Sequence, residues 1–87
     1  MTVVSVYDKI SQTYSQPSFF PNFDAAKRAI AYQFKNDPML SLNAKDFVLC
    51  EIAHWDPKDG TLIPSSSPGD EINSVSLEVL LNVREEV

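Results

Sequence analysis

Residues 46–63 read DFVLCEIAHWDPKDGTLI, and the fold turns on how this stretch is read. Within it, 47–55 (FVLCEIAHW) is rich in Phe, Val, Ile and Trp, and nine residues without a cap at either end suit a strand better than a helix. Strand periodicity places Val48, Cys50, Ile52 and His54 on one face and Phe47, Leu49, Glu51, Ala53 and Trp55 on the other. The DPKDG segment at 56–60 is a turn: Pro presets φ, Asp bonds back to the backbone, and Gly accepts a positive φ. Thr61, Leu62 and Ile63 supply a return strand stopped by Pro64, which cannot donate to a ladder. The stretch therefore predicts a β-hairpin over 47–64.

Neither face of that strand is polar, which is the pattern of a strand covered on both sides. Glu51 marks its own face as the more solvated, yet Phe47, Leu49 and Trp55 share that face and need cover. Either the C-terminal segment or a second copy of the chain must provide it. The expectation is self-association through Phe47, Leu49 and Trp55, as a homodimer or higher homo-oligomer.

A chain of 87 residues makes one domain and buries only about 60–65% of its unfolded surface, so association would help it. The expected organisation is a single α+β domain over 1–69, ordered ββαββ, with 70–87 packing on it or extending from it. One cysteine excludes an internal disulfide and fits a reducing compartment. No basic region precedes an apolar stretch and no apolar run approaches about 18 residues, so neither secretion nor membrane insertion is expected. The net charge of -5 is unevenly spread. Residues 1–45 carry five bases against three acids, a net of +2, and 46–87 carry two bases against nine acids, a net of -7. The chain as a whole would repel phosphates, so any contact with DNA belongs to the first half.

In chain order, 1–8 (MTVVSVYD) is a strand with Val4 and Val6 on one face and Val3, Ser5 and Tyr7 on the other. A turn at 8–12 returns through 13–15, giving a first hairpin over 3–15. The QPSFFP segment at 16–21 is a rigid connector, because each proline pushes its predecessor toward extended geometry. Its Phe19–Phe20 pair either plugs the sheet–helix interface or forms an exposed aromatic platform. Residues 22–36 (NFDAAKRAIAYQFKN) are the main helix. Asn22 caps it, Asp24 and Lys35 complement its dipole, and Phe23, Ala26, Ile30 and Phe34 share one stripe. Lys27, Arg28 and Lys35 flank that stripe with Ala31 between them, as a solvated face or as a patch contacting phosphates or acids. Residues 39–45 (MLSLNAK) read as a connector and 64–69 (PSSSPG) as a loop. Residues 70–87 satisfy both periods: Val75, Leu77, Val79, Leu81 and Val83 alternate, while Ile72, Val75, Val79 and Val83 have helical spacing. Asp70 as a cap favours a helix, although Glu85 and Glu86 sit where the dipole prefers cations. The fold class is thus α+β: an antiparallel sheet from two β-hairpins, one main α-helix packed on one face, and a short C-terminal element read as helical.

No catalytic constellation stands out. Cys50 and His54 share a face of the proposed strand, but four residues at about 3.3 Å each leave them about 13 Å apart, whereas a nucleophile and its base need hydrogen-bond reach. A buried thiol and an edge histidine are the expectation. A lone His and a lone Cys give no metal-ligand set, and no cofactor is expected.

The segments SVYD at 5–8, PSFFPNFDAAKRA at 17–29, ND at 36–37 and DFVLCEIAHWDPKDGTL at 46–62 occur here in an order and spacing that resembles the small nonstructural protein of gokushovirus-type microviruses, which are single-stranded DNA phages. The likeness covers 5–63. It departs at Ala53-His54, where the family often has a glycine before the aromatic, and after Pro68. The resemblance implies a non-enzymatic accessory of viral single-strand genome synthesis and packaging in the host bacterial cytoplasm. It carries over no catalytic residue. Two readings stay open: single-stranded DNA held through Lys9, Lys27, Arg28 and Lys35, or an adaptor that contacts phage replication or capsid proteins through the acidic second half or the apolar sheet face.

Overall fold

The decisive stretch forms β4, Phe47–Asp56, in a computed structural model that describes residues 1–65 and 73–82. β4 lies at the centre of an antiparallel sheet and pairs along its length with β1, Thr2–Asp8. Outside β1 lie β2, Thr13–Tyr14, which pairs with its end, and β3, Ser18–Phe20, which pairs with its start. Outside β4 lie β5, Thr61–Pro64, and β6, Ser74–Ser76. The helices are α1, Phe23–Lys35, α2, Pro38–Leu42, and α3, Leu77–Asn82, with a single 3-10 turn at Ala44–Asp46. The fold is α+β with both expected hairpins and the main helix in place.

The two hairpin turns share one construction. In the second, the Asp56 carboxylate accepts from the Lys58 N–H (2.9 Å), the Gly60 N–H donates to the Asp56 carbonyl (2.8 Å), and Gly60 sits at φ 70°. In the first, the Asp8 carboxylate accepts from the Ile10 N–H (2.9 Å), the Gln12 N–H donates to the Asp8 carbonyl (2.8 Å), and Gln12 sits at φ 59°. Aspartate anchors each loop through its short acceptor side chain, and the closing residue is left-handed in both.

The β1–β4 register contains a bulge: Val4 opposes Glu51 while Val3 opposes Ala53, so Ile52 has no partner on β1. Directly opposed residues share a face, so this one extra residue changes which side the end of β4 presents. Val4, Val6, Phe47, Leu49 and Val75 turn to the helical layer, where they pack with Ala26, Ile30, Phe34, Ala44 and Leu77. Phe47 meets Phe34 edge-on with ring centroids 5.2 Å apart. Beyond the bulge, Ala53 and Trp55 fall in phase with Val3 on the opposite face, and Trp55 meets Phe19 edge-on at 6.3 Å.

Several expectations change here. Glu51 is buried, not the mark of a solvated face; its carboxylate accepts from the Asn73 side-chain amide at 2.8 Å, and its N–H donates to the Asn73 carbonyl. The 16–21 connector contains the extra edge strand β3, and its aromatic pair divides: Phe20 packs against the core while Phe19 stays half exposed. The 39–45 connector contains α2, capped by the Asp37 side chain on the Met39 and Leu40 N–H groups. The C-terminal segment uses both of its periods in succession, three residues as β6 and then α3, with Val75 and Leu77 both facing the core. The proposed cap at Asp70, the end at Glu85 and Glu86, and all of the 64–69 loop beyond Ser65 lie outside the described residues.

Candidate functional site

Helix α1 presents a second stripe beside its buried one. Asp24, Lys27/Arg28, Ala31/Tyr32 and Lys35 recur at intervals of three or four residues, so they follow one stripe along the helix. Together with Leu80 of α3 they line an open groove of about 510 Å³. Ala31 and Leu80 give it apolar lining, and Lys27, Arg28 and Lys35 give it three cations. Tyr32 stands out from it, 72% exposed. The local fold follows from sequence: Asn22 accepts from the Ala25 N–H (2.8 Å) to start the helix, and burial of Ala26, Ile30 and Phe34 fixes its rotation.

The cations are not equivalent. Lys27 is held by Asp24 (3.0 Å) and lies over the Phe23 ring, 5.7 Å from its centroid, so its charge is partly committed within the chain. Arg28 and Lys35 have no carboxylate within ion-pair distance among the described residues. Lys35 also borders a second groove of about 300 Å³ shared with Lys45 and Glu78. Lys9, the fourth expected contact, lies apart in the first hairpin turn, where its ammonium donates to the Lys45 carbonyl at 3.2 Å. The structure therefore gathers Lys27, Arg28 and Lys35 into one groove and leaves Lys9 outside it. Tyr32 and Lys45 escaped the sequence reading. The four-residue spacing of Arg28 and Tyr32 was the available signal for the first, whereas Lys45 joins only through chain folding.

Phe47, Leu49 and Trp55 are not brought together as an association surface. Leu49 is fully buried, and Phe47 is covered from within the chain by the helical layer. Only Trp55 reaches the other face, because the bulge intervenes. Cys50 and His54 also part company: Cys50 opposes Ser5 and His54 opposes Thr2, on opposite faces of β1. The Cys50 thiol points to the Val48 carbonyl (3.8 Å), and partial burial pushes its pKa above the ordinary 9.0. His54 instead lies 3.5 Å from the Glu51 carboxylate. Among the described residues no group of three His, Cys, Asp or Glu side chains is placed to hold a metal ion, and no helix is long and apolar enough to cross a membrane.

Cations and an exposed aromatic ring lining one groove form an arrangement that can hold a phosphate and stack a flat ring. Comparison with known proteins adds one finding: the family model described as Phage ORF5 protein matches residues 1–77. No curated protein and no solved structure matches the chain.

Proposed function

The chain belongs to the Phage ORF5 protein family, and from that premise we propose that it is a non-enzymatic accessory of a single-stranded DNA phage. In this reading it holds single-stranded DNA along α1 while the viral genome is synthesised and packaged in the host bacterial cytoplasm. The observation that carries the reading is the groove in which Arg28, Lys35 and Tyr32 converge. The guanidinium and ammonium take backbone phosphates, and the Tyr32 ring takes an unpaired base. A base inside a duplex offers no free face to that ring, so the arrangement favours single strands. The resemblance to gokushovirus nonstructural proteins points the same way.

The test is affinity for a single-stranded oligonucleotide across salt concentrations. Two or three phosphate contacts give a log–log slope of about -1.4 to -2.1 for single strands. Replacing Arg28 and Lys35 by Gln should flatten the slope by about 1.4. Tyr32→Ala should weaken binding by about 1–3 kcal/mol with little change of slope. Affinity indifferent to salt, or untouched by R28Q/K35Q, sinks the reading.

A second reading is favoured by the net charge of -5 and by the Asp24 carboxylate inside the groove. In it the chain is an adaptor that contacts basic replication or capsid proteins and leaves nucleic acid alone. Capture of such a partner after nuclease treatment, combined with no affinity for the oligonucleotide, would select it.

A further inference from the structure

The sheet has one face turned away from the helices, and its membership follows from the register. Val3, Ser5 and Tyr7 of β1 share it with Tyr14, Phe19, Val48, Cys50, Ala53, Trp55 and Leu62, and with Ser74 and Ser76 of β6. No charged side chain occurs among these residues, in a chain where charged residues make up 22% of the total. Aromatic pairs dominate its surface: Tyr7 with Tyr14 at 4.7 Å and Phe19 with Trp55 at 6.3 Å. Val3 and Ala53 lie between Phe19 and Trp55 in the register and are buried, so what the face presents outward is largely the rings and Leu62. Phe19, Tyr14 and Leu62 are 49%, 60% and 55% exposed.

We propose that this uncharged face is the docking surface for a second copy of the same chain, two sheets meeting face to face. The occupant follows from charge. A nucleic acid would find no cation there to meet its phosphates, and a basic or acidic partner would find nothing to pair with. A second copy carries the same net charge of -5, and on this face it meets no like charge to repel it. An uncharged apolar face is complementary to itself, as a two-fold dimer requires. Its size sets the strength. Four strands wide and seven residues long, it spans roughly 20 by 20 Å, at or below the low end of the about 600–1,000 Å² that each partner gives to a specific interface. The dimer is therefore reversible and concentration-dependent. None of this rests on the DNA reading, because the groove on α1 belongs to the opposite layer.

Sedimentation equilibrium over a concentration series tests it, with Leu62→Glu placing a carboxylate at the rim and Phe19→Ser removing a ring without adding charge. Both positions are exposed, so both variants should keep the wild-type circular dichroism. Wild type should approach the mass of two chains as concentration rises. L62E should weaken association at least about tenfold, since each copy would carry an unpaired charge into apolar contact, and F19S should weaken it without changing its salt response. A wild type that stays monomeric at millimolar concentration overturns the proposal. So does a dimer indifferent to both variants, or a variant that loses oligonucleotide affinity while its mass is unchanged.

Discussion

Gln12 occupies in the first hairpin the position that Gly60 occupies in the second, closing a loop anchored by an aspartate four residues earlier. A left-handed backbone costs an L residue about 1–2 kcal/mol that glycine avoids. A Cβ at Gly60 would meet no atom within 4 Å, so Gly60→Ala isolates the backbone cost and should lose about 1 kcal/mol in urea unfolding. Gln12→Gly should gain a few tenths, the remainder being offset by the extra freedom of glycine in the unfolded chain. Glu51→Ala leaves the Asn73 amide without its carboxylate and should cost about 1–3 kcal/mol in the same measurement. Cys50 carries a sign that can be checked. Its thiol pKa is raised by burial, so the folded protein binds the proton more tightly than the unfolded chain. That contribution is complete below the ordinary thiol value of 9.0 and is lost as pH climbs from there through the folded value. Native Cys50 should accordingly react with a thiol reagent only at higher pH than the urea-unfolded chain.

At the scale of elements, α1 was legible because its signals are local. The Asn22 cap at the start, the Asp24 and Lys35 charges at the two ends and the stripe of Ala26, Ile30 and Phe34 all act within a few residues of one another. Asn36, however, closes the helix at φ -93° and not in the left-handed conformation that its residue type suggests. Asn22→Ala should lower stability by about 1 kcal/mol, read as a lower midpoint of thermal unfolding. The C-terminal element was legible only as an ambiguity, since alternation and helical spacing coincide there. The ladder offered by β4 at Val48, Leu49 and Cys50 captures Ser74–Ser76, and the chain turns helical where that pairing ends. β3 was hidden because Pro17 and Pro21 announce only extended geometry, and it is the open edge of β1 that turns extension into a strand. The β4 bulge had no local sign at all. Neither Gly nor Pro marks Ile52, and the extra residue shows only when β1 is laid beside it. That is why Phe47, Leu49 and Trp55 read as one surface in the sequence and are divided between two faces in the fold.

The whole molecule sets its charge apart from its apolar face, with cations along α1 in the helical layer and an uncharged sheet face behind. The two surfaces should answer salt in opposite directions. Raising ionic strength screens α1 from phosphates and weakens oligonucleotide binding, whereas it screens the repulsion between two copies of charge -5 and tightens their association. Measuring mass and oligonucleotide affinity at two salt concentrations on one sample checks both, and a parallel response would mean that one surface serves both ends. The basic first half of the sequence pointed to the cations of α1 but not to the uncharged face, which both halves build and which depends on a pairing between residues some fifty positions apart. The unpartnered Ile52 has one more consequence. Its single supernumerary residue reverses parity along the central ribbon. A lysine scan of β4 should therefore unfold the protein at odd-numbered Phe47 and Leu49 and spare folding but not assembly at even-numbered Val48. Past the offset, the odd-numbered Trp55 becomes the position where assembly is lost. One walk of substitutions along ten residues would thus report on two different properties, with the changeover marking where the count slips.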